Sequence, residues 1–174
     1  MRRVAFATAL LPALLWPCLS WADVPEVGGE LGFSQRSLYL VPIELGSFTV
    51  ALGGRTSRVA YTVPLGVDWG GTLEGLRVIQ GRLGFLVEAI VGRARFGGGL
   101  GVGFLAISRV TRVDSFNQPY AEAVLRTSAD IVRFGEPRVL RDGRTTRAAF
   151  YVASELRVNT ALVWGPSLFL GVRY

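Results

Sequence analysis

The chain contains no histidine and no lysine, and its one cysteine is Cys18. Without histidine there is no Ser-His-Asp or Cys-His catalysis, none of the common zinc sites and no imidazole pH switch. All 19 basic residues are arginine. That bias fits coding preference together with a mild preference for guanidinium in buried ion pairs, and it names no function. Charged residues fill only 18% of the 174 positions, while half of the chain is hydrophobic. This is too apolar for a disordered chain and unusual for a small soluble domain. The apolar residues are nevertheless not gathered into long runs. Beyond residue 22 no segment reaches the roughly 18 consecutive apolar residues of a membrane helix. The longest uncharged stretch, Phe96–Ser108, is shorter than that and carries five glycines.

What is present begins with a leader. Arg2 and Arg3 form a charged n-region, Val4–Leu15 an apolar h-region, and Pro17 ends it. Ser20 and Ala22 then place small residues at the −3 and −1 positions before Asp23. These features predict a cleavable signal peptide over 1–22 and a single domain over 23–174. A lipoprotein box at Cys18 would want small residues just before it, and Leu15-Trp16-Pro17 does not supply them. The remaining 152 residues hold no cysteine, so an exported domain must be stabilised without disulfides. Closing a sheet into a barrel inside a membrane is one way. Its 17 arginines and 13 acidic residues are spread along the chain, which speaks against nucleic acid as a partner.

The dominant pattern is alternation with period two, the signature of strands. Val59, Tyr61, Val63, Leu65, Val67 and Trp69 fall on one face, opposite Arg58, Ala60, Thr62, Pro64, Gly66 and Asp68. Leu83, Phe85, Val87, Ala89 and Val91 oppose Arg82, Gly84 and Glu88, and Leu100, Val102, Phe104 and Ala106 oppose Gly99, Gly101 and Gly103. Phe150, Val152, Leu156 and Val158 oppose Tyr151, Ala153, Glu155 and Arg157. Leu168, Leu170, Val172 and Tyr174 oppose Ser167, Phe169, Gly171 and Arg173. Near the start, Val27, Gly29, Leu31 and Phe33 oppose Gly28, Glu30 and Ser34. Phe48, Val50 and Leu52 oppose Ser47, Thr49 and Ala51, but the phase is unclear before Gly46, which suggests a bulge there.

Short turns are expected at 53–56, 92–95 and Asp142-Gly143, with longer loops near 36–43, 70–80, 109–128 and 159–163. Short turns on one side and longer loops on the other describe an all-β, eight-stranded antiparallel up-and-down transmembrane β-barrel. Strand six is the least defined. Residues 119–132 could form a short helix in the third loop, with strand six near 129–141, interrupted at Pro137. A lumen of this size holds side chains and no water-filled pore. Glu30, Glu88 and Glu155 on inner faces are candidate ion-pair partners of Arg58, Arg82, Arg157 and Arg173, with inner-face glycines making room for the arginines.

The ending Leu168-Phe169-Leu170-Gly171-Val172-Arg173-Tyr174 resembles the C-terminal strand of bacterial outer-membrane barrels: a terminal aromatic, apolar residues at every second place before it, and a preceding glycine, here Gly165. Tyr174 stands where phenylalanine is commoner. The whole of 23–174 resembles the small OmpA/OmpX-type barrels without a periplasmic domain. The resemblance implies a place in the bacterial outer membrane and outer-membrane lipid as surroundings. It also implies that the barrel-assembly machinery reads Leu168, Leu170, Val172 and Tyr174 as an assembly signal. A monomer without cofactor is expected.

Candidate residues for chemistry are few. Ser154 and Glu155 share a strand, but a serine needs a base to act as a nucleophile. The lipid-modifying barrel enzymes that this architecture resembles rely on histidine, so that reading is disfavoured. Asp68, Glu74 and Asp114 could meet at a loop rim, where carboxylates are more often simply solvated, and no metal is expected. The glycines of Phe96–Gly103 lack the Lys-Ser/Thr ending of a phosphate loop and interleave with apolar residues as in a strand. Trp69, Tyr120, Tyr151, Trp164 and Tyr174 are candidates for interfacial girdles, although Tyr151 falls on the inner face. The leading reading is an outer-membrane barrel with a structural or surface-interaction role, a packed polar lumen and no catalysis. The alternative is a soluble periplasmic barrel binding a small apolar ligand, which would be apolar inside. Mass spectrometry of the protein taken from its native envelope should find an N-terminus at Asp23. Retained Met1, or an acylated Cys18, would refute the leader.

Overall fold

The computed structural model describes residues 22–38, 40–72, 75–109 and 112–174. The leader, Glu74 and Cys18 lie outside them. Eight antiparallel strands follow in chain order: β1 (Val24–Leu38), β2 (Val41–Arg55), β3 (Val59–Gly71), β4 (Leu76–Val91), β5 (Ala94–Arg109), β6 (Arg112–Val139), β7 (Thr145–Asn159) and β8 (Val163–Arg173). Each pairs with its neighbours and β8 pairs with β1, so the sheet closes. Val27 and Tyr174 exchange both backbone hydrogen bonds at the seam (3.0 and 2.8 Å). Both ends of the described chain lie at this end, here called basal; the opposite end is apical.

The stagger of the ring sets its width. Partners followed sideways from Val24 run through Arg55, Ala60, Glu88, Gly97, Arg126, Glu155 and Ser167 and return to β1 at Ser34, ten residues further along. Eight strands with that stagger tilt by roughly 40° and form a wall about 8 Å in radius. Such a cylinder is filled by side chains.

Three expectations from the sequence are corrected. Residues 119–132 form no helix: they belong to β6, which runs 28 residues. Tyr120, Glu122, Val124, Arg126 and Ser128 are buried inside, while Ala121, Ala123, Leu125, Thr127 and Ala129 are exposed outside. Ala, Glu, Leu and Arg are good helix formers, but pairing with β5 and β7 on both edges overrides that preference. No bulge interrupts β2 at Gly46, since its register with β1 and β3 is unbroken. The phase is obscured because Ile43 and Leu45 point inward with no solvent exposure. Nor are the apical connections long. Strand pairing consumes most of them, leaving 39–40, 72–75, 110–111 and 160–162 between the strands.

The basal end carries one projecting element. β6 leaves β5 at Ala129 and continues with β7 as a two-stranded ribbon. Two register breaks, between Asp130 and Val132 and between Phe134 and Arg138, bend it. Gly135 between them has a φ of +74°, which a residue with a side chain adopts only with strain. The ribbon folds across the mouth to the opposite wall. Arg55 of β2 donates to the Thr146 hydroxyl at 2.9 Å, and Arg138 donates to the Pro25 carbonyl at 3.1 Å. The Ser57 hydroxyl, and after it the Arg144 amide, hold the Asp142 carboxyl below its usual range. That contact is present at neutral pH and lost as pH falls through the lowered value.

Candidate functional site in the barrel lumen

Because side chains alternate, every second residue of each strand enters the lumen. Among the described side chains seven arginines do so: Arg36, Arg55, Arg82, Arg95, Arg126, Arg157 and Arg173. Seven carboxylates meet them: Glu26, Glu30, Asp68, Glu88, Glu122, Asp130 and Glu155. Among the described side chains the lumen charges therefore balance, and they form three neighbourhoods.

Nearest the apical end, Asp68 is shared by Arg36 (3.1 Å) and Arg82 (3.3 Å) and accepts from the Ser47 hydroxyl. Arg36 also donates to Gln80 (2.9 Å) and Ser167 (3.2 Å), and Arg82 to Thr49 (2.6 Å). In the middle, Arg126 of β6 faces Glu30, Glu88 and Glu155 from three other strands. Tyr151 donates to Glu30, and Arg157 bridges Glu155 and Glu122. Towards the basal end, Arg95 grips Glu26 with two parallel bonds of 2.8 Å, the bidentate fork that only guanidinium provides. Arg55 lies 3.6 Å from the same carboxylate, and Arg173 pairs with Asp130. Phe169 and Tyr151 supply ring faces: Arg82 and Arg157 each lie 5.9 Å from the Phe169 centre, and Arg173 lies 4.2 Å from that of Tyr151.

Inner-face glycines leave the space these groups occupy. A β-carbon at Gly66 would stand 2.7 Å from the Arg82 guanidinium, and one at Gly171 would stand 2.6 Å from the Tyr151 ring. Above the charges, Leu38, Ile43, Leu45, Val78, Leu105 and Val163 join Tyr120 and Ala161 in an apolar layer that fills the apical end of the lumen. A cavity of about 30 Å³ lies among Glu26, Glu30, Glu88, Arg95, Arg126 and Arg173, room for little more than a water.

Of the ion-pair candidates named from the sequence, Glu30, Arg82, Glu88, Glu155, Arg157 and Arg173 stand in this network. Arg58 does not: it lies exposed in the turn between β2 and β3, one residue before the strand begins. Asp68, assigned above to a loop rim, is buried in the lumen and paired with Arg36 and Arg82, while Glu74 and the Asp114 side chain lie outside what the structure describes. Among the described residues no group of three His, Cys, Asp or Glu could hold a metal. Tyr120 is also inside, 4% exposed, and not in a girdle. Ser154 faces outward while Glu155 faces inward, so the two cannot act together. Network members missed from the sequence had a readable signal. Arg36 keeps the phase of Ser34, Glu122 and Arg126 alternate through residues 119–132, and Arg95 keeps the phase of Gly97, Gly99 and Gly101.

The outer wall is the inverse of the lumen. Leu31, Leu65, Leu100, Leu125, Leu156 and Leu170, on six of the eight strands, are each 46–73% exposed. Leu168 (61%) and Tyr174 (55%) of the terminal signature belong to the same wall, with Val172 half-buried. Trp69 and Trp164 (48% each) stand on it near the apical end, and Tyr174 near the basal end. Val63 shares the phase of Leu65 yet is only 2% exposed, and nothing in the structure explains it.

No family model matches the chain, and no curated protein matches it in sequence. The crystal structure of Neisserial surface protein A, an outer-membrane eight-stranded β-barrel, is similar to it with a TM-score of 0.56. The two are 10% identical, and the match covers 86% of this chain and 95% of that one. The chain thus has the fold of a small outer-membrane β-barrel.

Removing one member of a buried ion pair leaves its partner uncompensated, at about 3–5 kcal/mol. Arg126→Met should lower the stability of the folded barrel by that amount in urea titrations with lipid vesicles. Arg58→Met, in an exposed turn, should stay within about 0.5 kcal/mol of the parent. Equal effects from the two substitutions would contradict the assigned network.

Proposed function

We propose that the protein is an integral outer-membrane β-barrel with a structural or surface-interaction role and no catalysis. One observation carries this reading: the wall is apolar outside and ionic inside. A contiguous apolar belt around a whole molecule is a liability in water. In lipid the same belt is buried, and the closed ring satisfies the backbone groups that lipid cannot. A soluble barrel around an apolar ligand needs the opposite arrangement, and here the apolar layer at the apical end of the lumen is already filled by its own side chains.

In this reading the basal end faces the periplasm, the signal peptide has been removed, and the barrel-assembly machinery recognises Leu168, Leu170, Val172 and Tyr174. The protein acts as a monomer, and its contacts with other molecules lie on its ends and outer wall. The absence of catalysis rests on chemistry: each lumen carboxylate named above is engaged by arginine, and no histidine is present to serve as a base.

The test uses a protein whose Trp69 and Trp164 are replaced by phenylalanine, carrying one tryptophan at Leu65 or at Thr62. In bilayers of brominated lipid, Leu65→Trp should be strongly quenched and Thr62→Trp nearly untouched. The parent in planar bilayers should show no steady porin-sized conductance. Equal quenching at both positions, or none at either, would overturn the membrane reading, and large stable openings would overturn the packed lumen.

A further inference from the structure

Beyond the paired charges of the lumen, arginine collects at the basal end. Arg58 and Arg93 occupy basal turns, and five more lie along the ribbon between Arg133 and Arg147. The acidic residues at that end are Asp23, Glu136 and Asp142. One part of this basic end has the form of a site. Where β6 runs past the start of β5, the turn before β5, the root of the ribbon and the start of β7 enclose a corner of about 490 Å³. Arg93, Arg133 and Arg147 line it together with Ile131, Val132 and Thr145.

The roles of these residues differ. Arg133 is committed, donating to Asp130 and to the Gly92 carbonyl (2.8 Å each), and it holds the corner's shape. Arg93 and Arg147 are exposed, and neither guanidinium has an ion pair or hydrogen bond among the described residues. The register break beside Asp130 leaves Ile131 out of the β6–β7 pairing. Ile131 and Val132 are therefore both exposed, at 55% and 53%, where residues 119–129 of the same strand alternate. The corner thus offers two free cations beside two apolar side chains, at the foot of the apolar wall.

We propose that this corner binds the phosphate of an anionic phospholipid in the basal leaflet. Arg93 and Arg147 reach the phosphate oxygens, and Ile131 and Val132 lie against the first carbons of the acyl chains. Guanidinium suits a phosphate because its donors are planar and paired. A soluble acidic partner would use the cations equally well and leave the apolar pair unexplained. The inference rests on the membrane reading above.

Native mass spectrometry of the detergent-purified full chain, titrated with phosphatidylglycerol and with phosphatidylcholine of the same acyl length, tests it. The parent should retain phosphatidylglycerol roughly tenfold more tightly than phosphatidylcholine. Arg93→Ser with Arg147→Ser should abolish that preference. Arg58→Ser with Arg144→Ser, which removes equal charge from the same end, should leave it within about twofold. A heat-modifiability gel confirms that each variant is folded. No preference in the parent, or equal loss in both double variants, would overturn the site. A parent that enters bilayers without lipid preference refutes this inference alone, and one that never enters bilayers refutes the membrane reading beneath it.

Discussion

A sheet inside lipid cannot leave an edge, because nothing around it will hydrogen-bond the spare amides and carbonyls. Closure of β8 onto β1 meets that demand, and the other features of the molecule follow from how the ring closes. A stagger of ten residues over eight strands fixes both tilt and radius. The radius in turn fixes what the lumen can hold: one layer of side chains from each wall. Alternation then sends half of every strand into that narrow space and the other half into the surroundings. The two halves need opposite chemistry.

The lumen solves its half with charge neutrality. Among the described residues seven arginines balance seven carboxylates, and the pairs join strands distant in sequence: Arg126 of β6 to Glu30 of β1, Arg95 of β5 to Glu26 of β1, Arg36 of β1 to Asp68 of β3. Buried charges are costly without partners, so each one specifies the register that brings its partner level. Slipping any strand by a single residue would drive its charged face outward into the apolar belt. The lysine-free composition fits this arrangement, since Arg126 and Arg157 each bridge several carboxylates in a way a point charge matches poorly. Glycine completes it: Gly66 and Gly171 give up side chains so that Arg82 and Tyr151 can lie flat against the wall.

The sequence showed this architecture wherever inside and outside differ in polarity. β3, β7 and β8 read cleanly for that reason. Alternation misleads where the apolar face turns inward, as at Ile43, Leu45 and Val78 beneath the apical rim with Glu44 and Arg77 outside, and there the pattern suggests a bulge and long loops in place of strands. It was overruled in β6, where Ala, Glu, Leu and Arg favour helix locally and only the neighbouring strands impose extension. Arg58 stands one residue before β3, where period two no longer says which side is which. The lumen pairs themselves were legible only as candidates. Composition shows that arginine and glutamate share a face, but partner choice depends on the stagger. The ribbon over the basal mouth depends on two register breaks and the positive φ of Gly135, and neither leaves a periodic trace.

The lumen holds a paired ionic core inside a closed ring. Solid-state NMR on uniformly labelled protein in bilayers tests it most directly, through dipolar recoupling between arginine guanidinium nitrogens and carboxyl carbons. Arg36, Arg95, Arg126 and Arg157 should each show a carboxyl carbon within about 4 Å, the reach of a direct ion pair. Exposed Arg58 should show none. Absence of that coupling at Arg126 and Arg95 in a folded, bilayer-inserted sample would contradict the account.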